Sequence, residues 1–164
     1  MEKVFGSPAE ALEGLLHDGI FIAASGFGLC GFPEQLADTV EHTGRKDQTL
    51  ASNNTGVGTV VTKDKKPKDF NGKTDIFEEG LFADLAIVKA WKADATGKLV
   101  FGRTARSFTR SAAMCRKNGM VGVEESIRTG AVGPDLIHAT EMYVHRIIQD
   151  THEKRIEQRA TRAA

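Results

Sequence analysis

The sequence lacks the features of secreted, membrane-bound and nucleic-acid-binding proteins. It has only two cysteines in 164 residues, Cys30 and Cys115, and two cysteines do not make the disulfide framework of a secreted domain. Its 22 basic and 22 acidic residues balance, so the charge favours neither nucleic acid nor an anionic membrane. No apolar run approaches the roughly 20 residues of a membrane span, and the N-terminal segment does not have the layout of a signal peptide. We therefore expect a cytoplasmic protein without a nucleic-acid or membrane partner.

Length and pattern favour one α/β domain over residues 1–164. The length lies within the usual range for a single domain, and the chain has no internal repeat or low-complexity tract. Residues 7–10 form a capping box that starts a helix, and a strand over residues 20–24 precedes a helix that begins at Pro33. This alternation predicts an open, mainly parallel sheet with flanking crossover helices.

The remaining elements are predicted from apolar runs and turn residues. The near-continuous apolar run 85–90 predicts an internal strand, and Asn71-Gly72 predicts a hairpin turn. We interpret the polar residues 63–69 as a solvated loop. Further predicted elements are a short buried strand at 49–52, a short helix at 111–117, and strands at 119–124 and 142–148.

A glycine-rich segment, residues 25–31, joins a predicted strand to the helix at Pro33. Glycine lets backbone N–H groups approach a ligand closely, and the N-terminus of the following helix attracts negative charge. These features favour an anionic, phosphate-bearing ligand, although a tight strand-to-helix connection uses the same residues. Gly26, Gly28 and Gly31 match the G-x-G-x-x-G spacing, but the acidic residue of a dinucleotide site is missing and there is no P-loop lysine.

Asn53 and Asn54 follow the predicted strand at 49–52. Ligands of open α/β sheets bind at the carboxyl ends of the strands, and amides bind a carboxylate or a carbonyl without adding charge. These asparagines are therefore candidate site residues. The alternative interpretation is that they cap a turn.

The other candidate groups favour structural roles. His138, His145 and His152 fall at a heptad interval, but the strand-like alternation around His145 separates them, so we predict no metal site. Cys30 has no histidine or acidic residue nearby in sequence to activate it as a nucleophile, and packing is its favoured role. We interpret Glu124-Glu125 as the end of a strand rather than as a like-charge catalytic pair.

Several sequence blocks resemble family I coenzyme A transferases, and the resemblance is to the α subunit of the succinyl-CoA:3-oxoacid type. The glycine segment, from Gly26 to Gly31 with Pro33-Glu34 after it, is the first of these blocks. The blocks occur in the order typical of the family and cover almost the whole chain. The others are Ser52-Asn53-Asn54 with Gly56, residues 83–94, Thr104-Ala105-Arg106 with Phe108, residues 123–125, 135–138 and 143–147, and the tail 153–157.

The resemblance implies a ping-pong transfer of CoA between carboxylic acids, from succinyl-CoA to an acid such as acetoacetate. A glutamate of a β subunit would attack the acyl-CoA and would then carry CoA as a thioester, so this chain would hold no catalytic residue. The implied partners are a β subunit, acyl-CoA and carboxylic acids, with coenzyme A as a substrate rather than a permanently bound cofactor. The implied CoA-binding residues are Ser25, Gly26, Phe27, Gly28, Leu29, Cys30 and Gly31, and the implied substrate-lining residues are Asn53, Asn54 and Gly56.

The chain departs from the family pattern at two places. The family usually has two glycines where this chain has Ser25-Gly26, and the hydroxyl would either crowd the backbone or add a hydrogen bond. Residues 54–59 fuse two motifs that the family separates, so a family segment is absent at about 55–58. In the family that segment carries a glutamine that helps to hold the thioester oxyanion. Two alternatives stay open: an impaired remnant that only binds CoA or docks a β subunit, and a generic nucleotide-binding module.

Overall fold

The main element of the described part of the chain is a seven-stranded sheet. The computed structural model describes residues 3–26, 31–52, 66–77, 80–103, 105–114 and 116–150. Short β7 (Leu99–Val100) pairs antiparallel with β6 (Ala83–Asp94). The other strands run parallel to their neighbours, in the order β1 (Val4–Phe5), β9 (Arg146–Gln149), β8 (Arg116–Ile127), β6, β2 (Phe21–Ala24) and β3 (Thr49–Ser52). The predicted α/β fold with an open, mainly parallel sheet is confirmed.

Helices pack on both faces of this sheet. Leu85 and Ile87 of β6 belong to an apolar cluster that includes the first two helices, whereas Val88 and Ala90 belong to a second cluster with the third helix. Alternate residues of a strand point to opposite faces, so the two clusters lie on opposite sides of the sheet. The α-helices among the described residues are α1 (Pro8–Leu12), α2 (Glu34–His42) and α3 (Ala105–Met114).

The predicted capping box starts α1. The Glu10 N–H donates to the Ser7 hydroxyl at 3.2 Å, and the Glu10 carboxylate accepts from the Gly6 N–H at 3.0 Å. Pro8 occupies the first turn of the helix, where its missing N–H has no intrahelical partner to lose. The predicted helix after Pro33 is also present, as α2.

The strand predicted at residues 49–52 forms as β3, but the prediction that it is buried was wrong. Thr49 is exposed, and Leu50 is 58% exposed. Among the strands in the described part of the chain, β3 pairs only with β2. An edge strand has a neighbour on one side only, and this exposure cannot be read from its own apolar residues.

The predicted loop at residues 63–69 was wrong from Lys66 onward. Here β4 (Lys66–Phe70) and β5 (Lys73–Phe77) form an antiparallel hairpin, apart from the main sheet. The predicted Asn71-Gly72 turn joins them, with φ angles of 52° and 80°. Two consecutive positive φ angles are typical of a tight hairpin turn, so the turn signal outweighed the charged residues around it.

Three element boundaries also differ from prediction. Helix α3 starts at Ala105 rather than at residue 111. The sequence did not reveal this start because Ala105, Thr109 and Ala112, which share one helix face, have small side chains that give a weak apolar signal. Strand β8 is longer than 119–124, and a 3₁₀ helix, Glu141–Tyr143, occupies the start of the strand predicted at 142–148. A second 3₁₀ helix is Pro134–Leu136. None of the helices in the described ranges is long and apolar enough to cross a membrane.

Candidate functional site

The glycine segment begins where the chain changes sides of the sheet. Strands β2 and β6 are parallel neighbours, but α2, which follows β2, packs on one face and α3, which follows β6, packs on the other. Open α/β sheets bind ligands in the crevice at the carboxyl ends of two such strands. The far end of the segment also reaches α3, since a Cβ at Gly31 would lie 3.6 Å from the Cβ of Ala105. The two described ends of the segment therefore lie at this crevice.

Ser25, the first residue after β2, closes the glycine segment. Its side chain is fully buried, and its hydroxyl donates to the Gly31 carbonyl at 2.8 Å and accepts from the Lys89 N–H at 3.1 Å. The Ser25 N–H donates to the Ile87 carbonyl at 3.0 Å. The hydroxyl thus adds hydrogen bonds rather than crowding the backbone, and it fastens both ends of the segment to β6.

The two described glycines of the segment have backbone angles that favour glycine. Gly26 has a φ of 137° and Gly31 a φ of 70°, and side chains with a Cβ rarely adopt such angles. The CoA-binding residues predicted between them, Phe27, Gly28, Leu29 and Cys30, lie outside the described residues. The CoA-binding role of the segment stays a prediction, and these glycines are required by the backbone whatever the ligand.

A buried ion pair, which the sequence reasoning missed, lies beside the anchor of the segment. Lys89 Nζ lies 3.1 Å from Asp150 Oδ2, and the two side chains are 7% and 1% exposed. Lys89 is in register with Gly122 of β8, where a Cβ would lie 3.3 Å from Asp150 Oδ2, so the glycine leaves room for the carboxylate. A lysine inside a buried apolar strand was the available signal, because lysine is almost never fully buried unless it is paired.

The predicted substrate-lining residues follow the end of β3. Ser52, the last residue of β3, is in register with Ala24, the last residue of β2, so the two strands end level at the same edge of the sheet. Asn53, Asn54 and Gly56 lie outside the described residues. Their role stays a prediction, and the strand that leads to them ends at the edge where the crevice opens.

Two of the three heptad-spaced histidines accept backbone hydrogen bonds. Nδ1 of His138 accepts from the Phe101 N–H at 2.9 Å, and Nδ1 of His145 accepts from the Gly119 N–H at 3.0 Å. Burial, together with the nearby charge of Arg106, lowers the pKa of His138 below 6.5. Each ring therefore bonds to the main chain of another segment, which is a structural role.

The remaining candidates lie outside the described residues or within strands. His152 and Cys30 lie outside the described residues. Glu124 and Glu125 are both inside β8, so the strand end predicted there was wrong. Glu125 pairs with Lys92 at 2.9 Å and is half exposed. Within the described part of the chain no three His, Cys, Asp or Glu residues are grouped to hold a metal ion.

Two surface hollows are lined by other residues than the described ones of the glycine segment. One of about 490 Å³ lies between α1 and α2, and includes Leu12, Thr39 and Arg45 in its lining. Another of about 360 Å³ lies beside β3, where Leu50 and Phe32 line it. Ser25, Gly26 and Gly31 line neither hollow, so the candidate site is identified by topology and hydrogen bonding rather than by cavity volume.

Sequence comparisons match nearly the whole chain to one family. The model described as "Coenzyme A transferase" matches residues 5–59 and 51–150. A Bacillus subtilis (strain 168) protein, named as the A subunit of a probable succinyl-CoA:3-ketoacid coenzyme A transferase, is 34% identical over 232 aligned positions, which cover 100% of this chain and 97% of that protein. A Helicobacter pylori (strain J99) protein, named as the A subunit of a succinyl-CoA:3-ketoacid coenzyme A transferase, is 31% identical over 100% of both chains.

The fold is also similar to that of a solved coenzyme A-transferase. Glutaconate coenzyme A-transferase from Acidaminococcus fermentans superposes with a TM-score of 0.68 at 14% identity, over 90% of this chain and 75% of that one. At this identity the superposition supports the fold alone, whereas the family match and the two relatives cover the sequence itself. Together they show that the chain belongs to the coenzyme A transferase family of enzymes.

Proposed function

We propose that this chain is the α subunit of a 3-oxoacid CoA-transferase, which moves CoA from succinyl-CoA to a 3-oxo acid such as acetoacetate. The observation that carries the proposal is the glycine segment, closed by Ser25 at the change of sides between β2 and β6. Its support is the family membership and the naming of both relatives as the A subunit of such an enzyme. One named subunit implies a second, and we propose this β subunit as the partner.

The proposed reaction is a ping-pong exchange through a covalent thioester. A glutamate carboxylate of the partner attacks the thioester carbonyl of succinyl-CoA, CoA leaves as the thiolate, and a mixed anhydride forms. The thiolate then attacks the glutamyl carbonyl of the anhydride, so succinate leaves and the glutamate carries CoA. The 3-oxo acid repeats these steps in reverse and takes CoA away. Covalent catalysis of this kind divides one difficult exchange into easier steps, and it uses no metal or resident cofactor.

In this proposal the chain binds and orients the substrates. Backbone N–H groups of residues 26–31 and the N-terminus of α2 would contact CoA, because both favour anionic groups, whereas the Ser25 N–H already donates to the Ile87 carbonyl. The amides of Asn53 and Asn54, with the backbone at Gly56, would line the carboxylic acid. The Ser25 hydroxyl already makes two hydrogen bonds within the protein, so we assign it to the shape of the segment rather than to a direct bond with CoA.

The experiment is co-expression with a β subunit, followed by an assay of CoA exchange between succinyl-CoA and acetoacetate. We expect exchange, and we expect a covalent CoA adduct on the partner that mass spectrometry detects in the absence of acceptor acid. A partner whose nucleophilic glutamate is replaced by alanine is the control. An intact complex with neither exchange nor adduct would reject the transferase proposal.

The alternative function is an impaired remnant that only binds CoA or docks the partner. Two observations favour it: the family model matches in two stretches that share residues 51–59, and the Bacillus subtilis alignment needs 232 positions for a chain of 164 residues. Both support a single domain over residues 1–164 from which a family segment is absent at about 55–58. The same assay distinguishes the two functions, because a remnant would form the complex or bind CoA without exchange.

A cytoplasmic location also stays a proposal. It is supported by the small number of cysteines, since two cysteines suit a reducing compartment. Fractionation of cells that express the tagged chain would test it, and recovery with the membrane or the secreted fraction would reject it.

A further inference from the structure

We propose that the buried Lys89–Asp150 pair positions the glycine segment for its ligand. The inference rests on the proposed CoA-binding role of residues 25–31. Neither side chain touches the ligand in this scheme, so both are positioning residues. They act through the main chain at Lys89, whose N–H donates to the Ser25 hydroxyl.

The pair connects three neighbouring strands near the edge of the sheet at which the candidate site lies. Lys89 lies on β6 and Asp150 directly follows β9, with Gly122 of β8 between them. The Asp150 N–H donates to the Val123 carbonyl at 2.7 Å, so Asp150 continues the ladder of β9. A Cβ at Gly122 would lie 3.3 Å from Asp150 Oδ2. The backbone hydrogen bond of Asp150 therefore fixes the position of its carboxylate, and the absence of a side chain at Gly122 leaves room for it. The Lys89 side chain then connects β6 to this carboxylate.

A contribution to the stability of the fold does not by itself explain why this ion pair is buried here. Transfer of two charges out of water opposes their attraction, and apolar residues in place of a buried pair are often neutral or stabilising. The pair is notable for its location beside the anchor of the glycine segment. The Ser25 hydroxyl that accepts from the Lys89 N–H also donates to the Gly31 carbonyl at 2.8 Å. A shift of the β6 backbone at Lys89 would therefore be transmitted to both ends of the glycine segment.

Strands β6 and β8 contain a second ion pair, which serves as a comparison. Lys92 and Glu125 are in register on β6 and β8 and lie 2.9 Å apart, but their side chains are 27% and 51% exposed. Exposed ion pairs contribute little to stability. Glu125→Gln therefore removes a carboxylate from these strands without touching the anchor of the segment.

The first test measures amide hydrogen exchange of the full chain without any ligand. Asp150→Asn should speed exchange of the Lys89 and Ser25 amides by about tenfold, since it leaves the buried lysine charge unpaired. The amides of Gly19 and Thr49, which are bonded near the opposite end of β2, report general opening and should change less. Glu125→Gln should leave all four rates unchanged. Equal acceleration at all four amides in Asp150→Asn would overturn the proposal.

The second test separates positioning from stability in the complex with the β subunit. Asp150→Asn should raise KM for succinyl-CoA by about tenfold and change kcat less, because it loosens the binding segment. The double variant Lys89→Met, Asp150→Leu replaces the pair by apolar residues, and should recover the melting temperature while KM stays raised. Recovery of KM together with the melting temperature would assign the pair to stability and reject positioning.

The two tests also separate this inference from the proposed function. A local increase in exchange at Lys89 and Ser25, with no CoA transfer by the wild-type complex, would support a positioned segment and reject the transferase. Normal transfer by the wild type, with no local change in exchange and no change in KM for Asp150→Asn, would reject the positioning role and leave the transferase intact.

Discussion

Replacement of Ser25 by alanine tests how the glycine segment is held. The Ser25 side chain is fully buried, and its hydroxyl satisfies both the Gly31 carbonyl and the Lys89 N–H. Ser25→Ala removes one oxygen atom and leaves these two backbone groups without that partner. The φ angle of Ser25 is not positive, unlike those of Gly26 and Gly31, so alanine fits the backbone and the change isolates the hydrogen bonds.

The loss of stability follows from the two orphaned groups. A buried donor or acceptor without a partner costs about 1–3 kcal/mol. The Lys89 N–H lies in the buried interior of the sheet, so it should cost the larger amount, whereas the half-exposed Gly31 can find water for its carbonyl. We therefore expect Ser25→Ala to lower the free energy of unfolding by about 2–4 kcal/mol, a large part of the roughly 5–15 kcal/mol of a typical domain.

Urea denaturation measures this loss, and the chain has a built-in reporter. Trp91, the single tryptophan, lies on β6 two residues beyond Lys89 and is 43% exposed, so its fluorescence follows unfolding of the strand concerned. Ser126→Ala, at an exposed serine, is the control and should stay within about 0.5 kcal/mol of the wild type. A similarly small change for Ser25→Ala, with an unchanged dependence on urea, would refute the reasoning.

Three further predictions concern groups around the sheet. Gly122→Ala places a Cβ 3.3 Å from Asp150 Oδ2 and should lower the free energy of unfolding by about 1–3 kcal/mol in the same assay, and an unchanged midpoint would contradict it. Burial lowers the pKa of His138 below 6.5, so the wild type loses stability as pH falls from 6.5 through the lowered pKa, because the unfolded chain binds the proton more readily. His138→Asn should flatten that part of a pH series of thermal melts, and an equal slope would argue against the assignment. The hydrogen bond from Lys117 lowers the pKa of Asp84 below 3.8, so its stabilising effect is present above 3.8 and is lost as pH falls through the lowered pKa. Asp84→Asn should therefore be less stable than the wild type at neutral pH and equal to it at strongly acid pH, and a constant difference would count against this role.

Features with local signals were predictable from the sequence. The capping box at residues 7–10, the Asn71-Gly72 turn and the internal strand around residues 85–90 are each specified by neighbouring residues, and the structure has all three. The position of the glycine segment between a strand and α2 was predictable for the same reason. Family membership followed from motifs that are also local.

Features that depend on distant partners were not predictable in this way. Leu50 looks like a core residue, but its exposure depends on which strands flank β3. Lys89 is unusual within its apolar strand, yet its partner Asp150 lies far along the chain and is brought close only by the order of β6, β8 and β9. The start of α3 was missed because its buried face is made of small residues.

The crevice itself does not depend on the segment that we propose is absent. It lies between β2 and β6, and it is defined by α2 on one face and α3 on the other. The proposed junction at about 55–58 follows β3, which lies beyond β2 at the outer edge of the described sheet. A loss at that position can remove groups that face the crevice while the crevice remains. The proposed CoA binding and the proposed CoA exchange can therefore be lost separately, and measurement of both on the same complex decides between a transferase subunit and a remnant.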